Sequence, residues 1–524
     1  MLTRMRSAVS HMIGGMMASG GTDLEEESAA GGDGADLPLR FPYQRPEFLN
    51  LSADELECST DHISRPILIL KENNRLPWST GYAEVINAGK SALNEDQACC
   101  EVVELRKRPA DLSSPSYTPT SRRRSSLPSR DTLEVEEDSP SKEMYFNYWG
   151  MFDGHAGSGA AVFASKLLHL HIEEQLQSVL EILQKPSLQP PTCLGEENSL
   201  HIQPGGGLSQ RALSRATSLR GAAGAPGSPN NFAPRFFMEK KVKQESLVVG
   251  AIENAFKEMD KHIGREKCVY DITGGCTALA VVCLLGKLYV ANAGDSRAII
   301  LRGGEIFPMS SAFTPETERQ RVQCLAYMQP HLLGNEFTHL EFPRPVCKKE
   351  VGKRILYRDY SMKGWAYKTV QEDDLKFPLV FGEGKKARVL ATIGVTRGLG
   401  DHDLKVHGTD ISIKPFLSCN PEVRVYNLEQ FEHTADDVMV LATDGLWDVL
   451  SNKEVAEAVT SFLGNCDLDN HYRYTMAAQQ LVMKARGVLT DQNWRTANNR
   501  LGSVDDISVY IIPLMFGNGQ PEPR

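Results

Sequence analysis

Four strand-like or turn-like segments of this chain each deliver a carboxylate beside a small or polar residue: Asn94-Glu95-Asp96, Phe152-Asp153-Gly154-His155, Ala293-Gly294-Asp295-Ser296 and Ala442-Thr443-Asp444-Gly445. Asp505-Asp506 opens a fifth, "DDISVYIIPL". One Asp before Gly is an ordinary turn former. Five such sites are different, because acids at strand ends add nothing to packing. Brought together they repel and raise one another's pKa unless a cation neutralises them. An oxygen-only donor set with no His/Cys constellation favours a hard ion, Mg²⁺ or Mn²⁺, over zinc. Two such ions sharing a carboxylate generate hydroxide near neutral pH and clamp a phosphoryl group for in-line attack, with His155 placed to protonate the leaving oxygen.

The segments that carry these acids set the fold class. "KLYVANAGDSRAIILRGGE" alternates like a hairpin, with Leu288, Val290 and Ala293 leading into Gly294-Asp295 and Ala298 to Leu301 leading out. "VMVLATDGLWDVLS" repeats the strand theme, and helical periodicity covers 160–183, 248–263, 453–463 and 475–487. Strands and helices without regular βαβ alternation, and without a Rossmann glycine fingerprint, point to an α+β domain. "WGMFDGHAGSGA" also lacks the Gly-Lys-Ser/Thr of a phosphate-binding P-loop.

At 524 residues the chain is too long for one plain core. A single domain over 37–515 with large inserts fits better than several domains, leaving a tail at 516–524. Residues 19–36, 107–142 and 189–234 are low-complexity and are expected to be disordered. The inserts hold Arg123/Ser126 and Arg215/Ser218, the spacing basophilic kinases favour, and Pro128 makes Ser126 acceptable to a phosphoserine-binding adaptor. The alternative is a solvated linker. Residues 1–18 are expected to form an amphipathic helix, with Leu2, Met5, Val9, Met12, Ile13, Met16 and Met17 on one arc and no acid before Asp23. Three readings of residues 1–17 stand side by side: a membrane-surface helix, a frayed terminus and a transit peptide. The longest apolar run, 277–286, is too short to cross a bilayer. A net charge of -10 argues against nucleic acid as partner. Eleven scattered cysteines without Cys-x-x-Cys point to a reduced compartment, cytoplasm or nucleus, with Cys99 and Cys100 as inert thiols.

In chain order, "INAGKSALNEDQA", "WGMFDGHAGSG", "GGCTALAVV", "ANAGDSRAIILRGGE", "FTPETERQRV", "TIGVTRGLGDHDLK", "LATDGLWDVLS" and "DDISVYIIP" resemble the metal-dependent PPM, or type 2C, family of protein serine/threonine phosphatases. "LPLRFPYQRPEFL" and the long segment after "FTPETERQRV" narrow the resemblance to one subgroup. It implies an αββα sandwich, two antiparallel β-sheets flanked by helices, with an inserted flap subdomain. It also implies a binuclear site in which Glu95, Asp153 and the carbonyl of Gly154 hold one metal and Asp153, Asp444 and Asp505 the other. Asp96 falls on an acid behind the ligands, and Asp295, with Asp448 nearby, on a weaker third metal. Two Mg²⁺ or Mn²⁺ bound tightly and a third bound weakly are thus the implied cofactors.

Three departures from the family pattern stand out. Many members carry a phosphate-binding Arg before the acidic cluster, where this chain offers Lys90, a point charge instead of a fork. The usual Asn after the last ligand is Asp506 here. The flap, 314–388, is unusually long and carries Arg344, Lys348, Lys349, Lys353 and Arg354 with Phe342, Tyr357, Tyr360 and Trp365, either a docking face for protein substrates or a solvated surface. The subgroup resemblance implies phosphorylated Rab-type small GTPases and cell-cycle inhibitor proteins as substrates, and peripheral attachment to Golgi-type membranes. The rival readings are a phosphatase-like scaffold that binds phosphoproteins without turnover and a metal nuclease, which would need a basic groove.

Overall fold

The computed structural model describes residues 40–72, 75–106, 144–184, 192–196, 237–491 and 493–517. The expectations for residues 1–36, for Ser126 and Ser218, and for most of the inserts and the tail lie outside these. The main strands are β1 (Leu68–Ile69), β2 (Gly81–Val85), β3 (Gln97–Leu105), β4 (Met144–Phe152), β5 (Ala278–Leu284), β6 (Lys287–Ala293), β7 (Arg297–Arg302), β8 (Glu305–Pro308), β9 (Glu422–Asn427), β10 (Val438–Ala442) and β11 (Ile507–Pro513). They form two antiparallel sheets, β1-β2-β11-β10-β7-β8 and β9-β6-β5-β4-β3.

The two sheets face each other across one core. Tyr82, Ala298, Ile300, Met439, Leu441, Tyr510 and Ile512 from the first meet Ala98, Trp149, Met151, Leu279, Val281, Leu288 and Val290 from the second, all buried. Each strand places alternate residues on this inner face, as the two-residue period of a strand requires. A fully buried side chain of this size contributes roughly 1.5–3 kcal/mol.

The helices are α1 (Ala53–Cys58), α2 (Gly159–Gln177), α3 (Leu180–Gln184), α4 (Gln244–Tyr270), α5 (Arg319–Met328), α6 (Asp444–Trp447), α7 (Asn452–Asn465) and α8 (Arg473–Arg486). The outer face of the first sheet, through Val85, Ile299, Val440 and Val509, packs on α7 and α8 through Val455, Val459, Leu463, Leu481 and Val482. On the other side α2 lies on β3 and β4, and α4 meets α2 through Phe163 with His262 and Tyr270 and through His171 with His262. There the Phe163 and Tyr270 rings are 5.8 Å apart and His171 Nε2 is 3.1 Å from His262 Nδ1. The result is the αββα sandwich.

One sequence-based expectation fails instructively. β6 and β7 do not pair as a hairpin; β6 joins β5 and β9, while β7 joins β8 and β10. The chain crosses from one sheet to the other through Gly294-Asp295-Ser296. Gly294 sits at φ 146°, and a Cβ there would fall 2.3 Å from Thr277 Cβ, so only glycine makes the crossing. Alternation shows that a segment is a strand and leaves its partner open.

Residues after Phe313 form a small region with its own core, in which Val322, Leu333, Phe337, Leu379, Leu390, Val406, Phe416 and Leu417 are buried. That core continues past residue 388, the expected end of the flap, because Val389 to Leu417 supply about half of its side chains. A separate unit, Val179–Val248, holds α3 and an antiparallel pair, Thr192–Glu196 with Phe237–Lys241. Five residues of the insert expected to be disordered are therefore strand, since pairing with Phe237–Lys241 satisfies their backbone. Among the described residues, no helix is long and apolar enough to cross a membrane.

Candidate active site

The acids meet where strand ends and the sheet crossing converge. Asp153 follows β4, Asp295 lies in the crossing and Asp444 follows β10, and their carboxylates offer oxygens within 4.8 Å of one another. Burial and mutual repulsion push Asp153 and Asp444 well above the usual carboxylate range, and burial brings Asp295 to about 6. Three acids this close, with water still reaching their edges, fit a divalent cation bound by oxygen.

Asp505 opens β11 beside them, and Lys90 Nζ donates to both of its oxygens at 2.8 and 2.6 Å. Burial opposes the lysine's charge, yet Asp505, with Asp153 and Asp444 beyond it, holds the ammonium above its ordinary range. Glu95 accepts from the Gly157 amide at 2.8 Å, just ahead of α2. Gly154 must be glycine, because a Cβ would sit 2.5 Å from the Glu95 carbonyl oxygen. The small residues at the start of α2 permit this closeness, with Ala161 next to Gly154.

Two further acids hold the site together. Asp96, almost fully buried, accepts from the hydroxyls of Thr443 at 2.9 Å and Ser508 at 2.8 Å, which ties the residue just before β3 to the turn bearing Asp444 and to the start of β11. Asp506 accepts from the backbone amides of Asn87 at 2.8 Å and Glu95 at 3.3 Å, so it fixes both ends of the loop that carries Lys90. Its carboxyl is pushed to about 6, by burial first, and an asparagine could serve its amide contacts only in part. Asp448 is not among the three converging acids, yet its charge helps raise the pKa of Asp295 and Asp444, and it pairs with Lys385, with 3.1 Å between Nζ and Oδ1.

The sequence reading missed two residues. Asp401 Oδ2 lies 2.8 Å from His155 Nε2. Burial disfavours the imidazolium, but Asp401 outweighs it and keeps the His155 pKa above 6.5. The Asp401 turn is itself anchored: Asp260 accepts from the Gly400 amide at 2.9 Å and from Lys414 Nζ at 2.7 Å. The second is Arg45, considered below. "RGLGD" carried the first signal, as an acid in a glycine turn; Arg45 stands in "LPLRFPYQRPEFL", a segment that marks the subgroup but not this residue's role.

In the flap, Arg344 pairs with Glu350 and Arg354 stacks 5.4 Å from the Tyr367 ring. Trp365 lies under Arg358 at 4.6 Å, and Tyr360 is 5.0 Å from Tyr327. Among the described residues Lys348, Lys349 and Lys353 are exposed and make no ion pair.

The profile of the family described as Protein phosphatase 2C matches residues 224–328 and 379–494. Protein phosphatase 1H of Danio rerio is 74% identical over 526 residues, covering 100% of this chain and 100% of the relative. The chain belongs to the protein phosphatase 2C family. Protein phosphatase 1H of Homo sapiens is 65% identical over 518 residues, covering 99% of each chain, and protein phosphatase 1J of Mus musculus is 50% identical over 544 residues, covering 98% of each. It is therefore a metal-dependent protein phosphatase. The profile passes over 329–378, so the family pattern common to type 2C enzymes does not extend into the middle of the flap.

Proposed function

We propose that this type 2C phosphatase hydrolyses phosphoserine and phosphothreonine on protein substrates at the cluster of Asp153, Asp295 and Asp444. The observation that carries the reading is the approach of those three carboxylates to within 4.8 Å, with His155 paired to Asp401 beside them. Glu95, Asp153 and Gly154 would hold one ion, Asp153, Asp444 and Asp505 a second, and Asp295 with Asp448 a weaker third. When bound, Mg²⁺ or Mn²⁺ lowers the pKa of water and draws charge from the phosphoryl group. Lys90 supplies a positive charge for the phosphoryl oxygens. His155 donates its proton to the departing serine or threonine oxygen, and Asp401 holds the ring for that transfer. Hydrolysis of a phosphothreonine peptide is expected with Mn²⁺ and lost with EDTA or in Asp153→Ala. Activity surviving both treatments overturns this reading; no activity under any condition favours the scaffold.

The reading extends to the substrates that the subgroup resemblance suggests, Rab-type GTPases and cell-cycle inhibitors. Free charge at Lys348, Lys349 and Lys353 supports docking of an acidic partner, beside exposed Arg344, held by Glu350, and exposed Arg354, against the Tyr367 ring. Replacing the flap is expected to change protein-substrate choice while sparing an aryl phosphate; equal loss of both assigns the flap to fold support. A reduced cytoplasmic compartment, membrane contact through residues 1–17 and an adaptor at Ser126 complete the proposal. Liposome flotation and phosphopeptide mapping test the last two.

A further inference from the structure

Arg45 lies in the N-terminal segment, and its guanidinium is shielded from solvent, with 1% of the side chain exposed. Four of its five N–H donors are matched by three residues in two different parts of the molecule. Nε and Nη2 grip the Glu84 carboxylate of β2 at 2.6 and 2.8 Å. Nη1 donates to the carbonyls of Asn94 at 3.2 Å and Asp96 at 2.7 Å. Those two carbonyls bracket Glu95. Residues 94–96 precede β3 and take no part in a strand, so the guanidinium satisfies carbonyls that the sheet leaves unpaired.

Glu84 is in turn fixed. It is 0% exposed, and Tyr82 Oη donates to its Oε2 at 2.6 Å. The Arg45 segment is also tied to the start of β3, where Gln97 Nε2 donates to the Gln44 carbonyl at 2.9 Å. Only arginine has a rigid planar fork able to take a carboxylate on one edge and reach two carbonyls from the other. Lysine keeps the charge but cannot make all four bonds.

We infer that Arg45 is a positioning residue, which together with Glu84 and Tyr82 sets the backbone on either side of Glu95 and so the place of that carboxylate in the metal site. The inference rests on the reading that Glu95 holds a cation. Arg45 touches no substrate and no reacting atom. It acts on the entropy and geometry of one ligand, so losing its fork loosens Glu95 and lowers cation affinity before it affects the remaining chemistry.

The test is Mn²⁺ binding to the full chain, followed by the electron paramagnetic resonance signal of free Mn²⁺, alongside thermal unfolding. Arg45→Lys is expected to raise the half-saturating Mn²⁺ about tenfold, a factor in the range typical when a group behind a metal ligand is lost. Its kcat is expected to recover at high Mn²⁺. Mn²⁺ binding equal to wild type, with only a lower melting temperature, overturns the inference and leaves Arg45 a structural ion pair. If Arg45→Lys does not fold, Tyr82→Phe removes one hydroxyl from Glu84 while keeping the ring. There a severalfold weaker Mn²⁺ affinity supports the inference, and an unchanged one overturns it. Glu95→Gln separates the two levels: unaltered Mn²⁺ binding in that variant sinks the underlying reading of the site, whereas a loss there beside wild-type binding in Arg45→Lys sinks the positioning role alone.

Discussion

Lys90 carries two duties that pull apart on substitution. Its ammonium sits on Asp505 at 2.6 Å, and in the proposed mechanism it is also the charge offered to a phosphoryl group. Lys90→Ala is expected to lower kcat/KM on a phosphopeptide about tenfold to a hundredfold, roughly 1.4 to 2.8 kcal/mol. The same change frees Asp505, so the Mn²⁺ needed for half-maximal activity is expected to fall; an unchanged kcat/KM removes Lys90 from the site. Asp401→Asn makes a different split. It leaves His155 a partner but removes the negative charge that favours the imidazolium. The expected loss is about tenfold to a hundredfold in kcat for phosphothreonine, within the usual contribution of a general acid. An aryl phosphate, whose leaving oxygen needs no proton, is expected to be nearly unaffected, and equal losses on both substrates argue against proton donation. The acids of the site were legible in the sequence because packing gives no reason for carboxylates at strand ends. Asp401 sits in a glycine turn that is legible in the sequence while its role is not, and Arg45 pairs with Glu84 across 39 positions, a relation that no local spacing encodes.

At the scale of elements, helix α2 combines the site with an acid-sensitive contact. Its first turn lies against Gly154, while further along His169 packs 5.8 Å from the Tyr148 ring, with Nδ1 buried and unpartnered. Burial lowers the His169 pKa from 6.5 to about 4, so the fold favours the neutral ring. The unfolded chain takes up the proton first as pH falls. This stabilisation is therefore complete above about pH 6.5 and is lost as pH drops from there toward 4, at about 1.4 kcal/mol per unit. Urea unfolding at pH 7 and pH 5 is expected to show about 2 kcal/mol less acid sensitivity in His169→Gln than in wild type; equal sensitivity locates the acid lability elsewhere. Elements of this kind were readable from periodicity, since helices with one buried face and strands with alternating burial leave a local trace. Pairing was not. β6 and β7 are adjacent and alternate correctly, yet each belongs to a different sheet because a fixed glycine conformation carries the chain across.

Across the whole molecule, acids at positions 153, 295 and 444 are gathered by two sheets whose opposed faces bury one core. The sandwich supplies the rigidity, and the acid cluster opposes it, since burial and like charge raise the pKa of each member. A bound cation reverses that opposition, so folding stability and metal occupancy are linked. At a hundredfold excess over Kd, one site adds about 2.7 kcal/mol. The wild-type chain is therefore expected to melt at a clearly higher temperature in Mn²⁺ than in EDTA. Asp153→Asn removes the acid that both proposed ions would share. Most of its Mn²⁺-induced shift is expected to vanish, while its melting temperature in EDTA stays at or above that of wild type because one repelling charge is gone. A variant that melts lower in EDTA and still gains the full shift in Mn²⁺ would instead make Asp153 a structural residue and place the ions on other ligands.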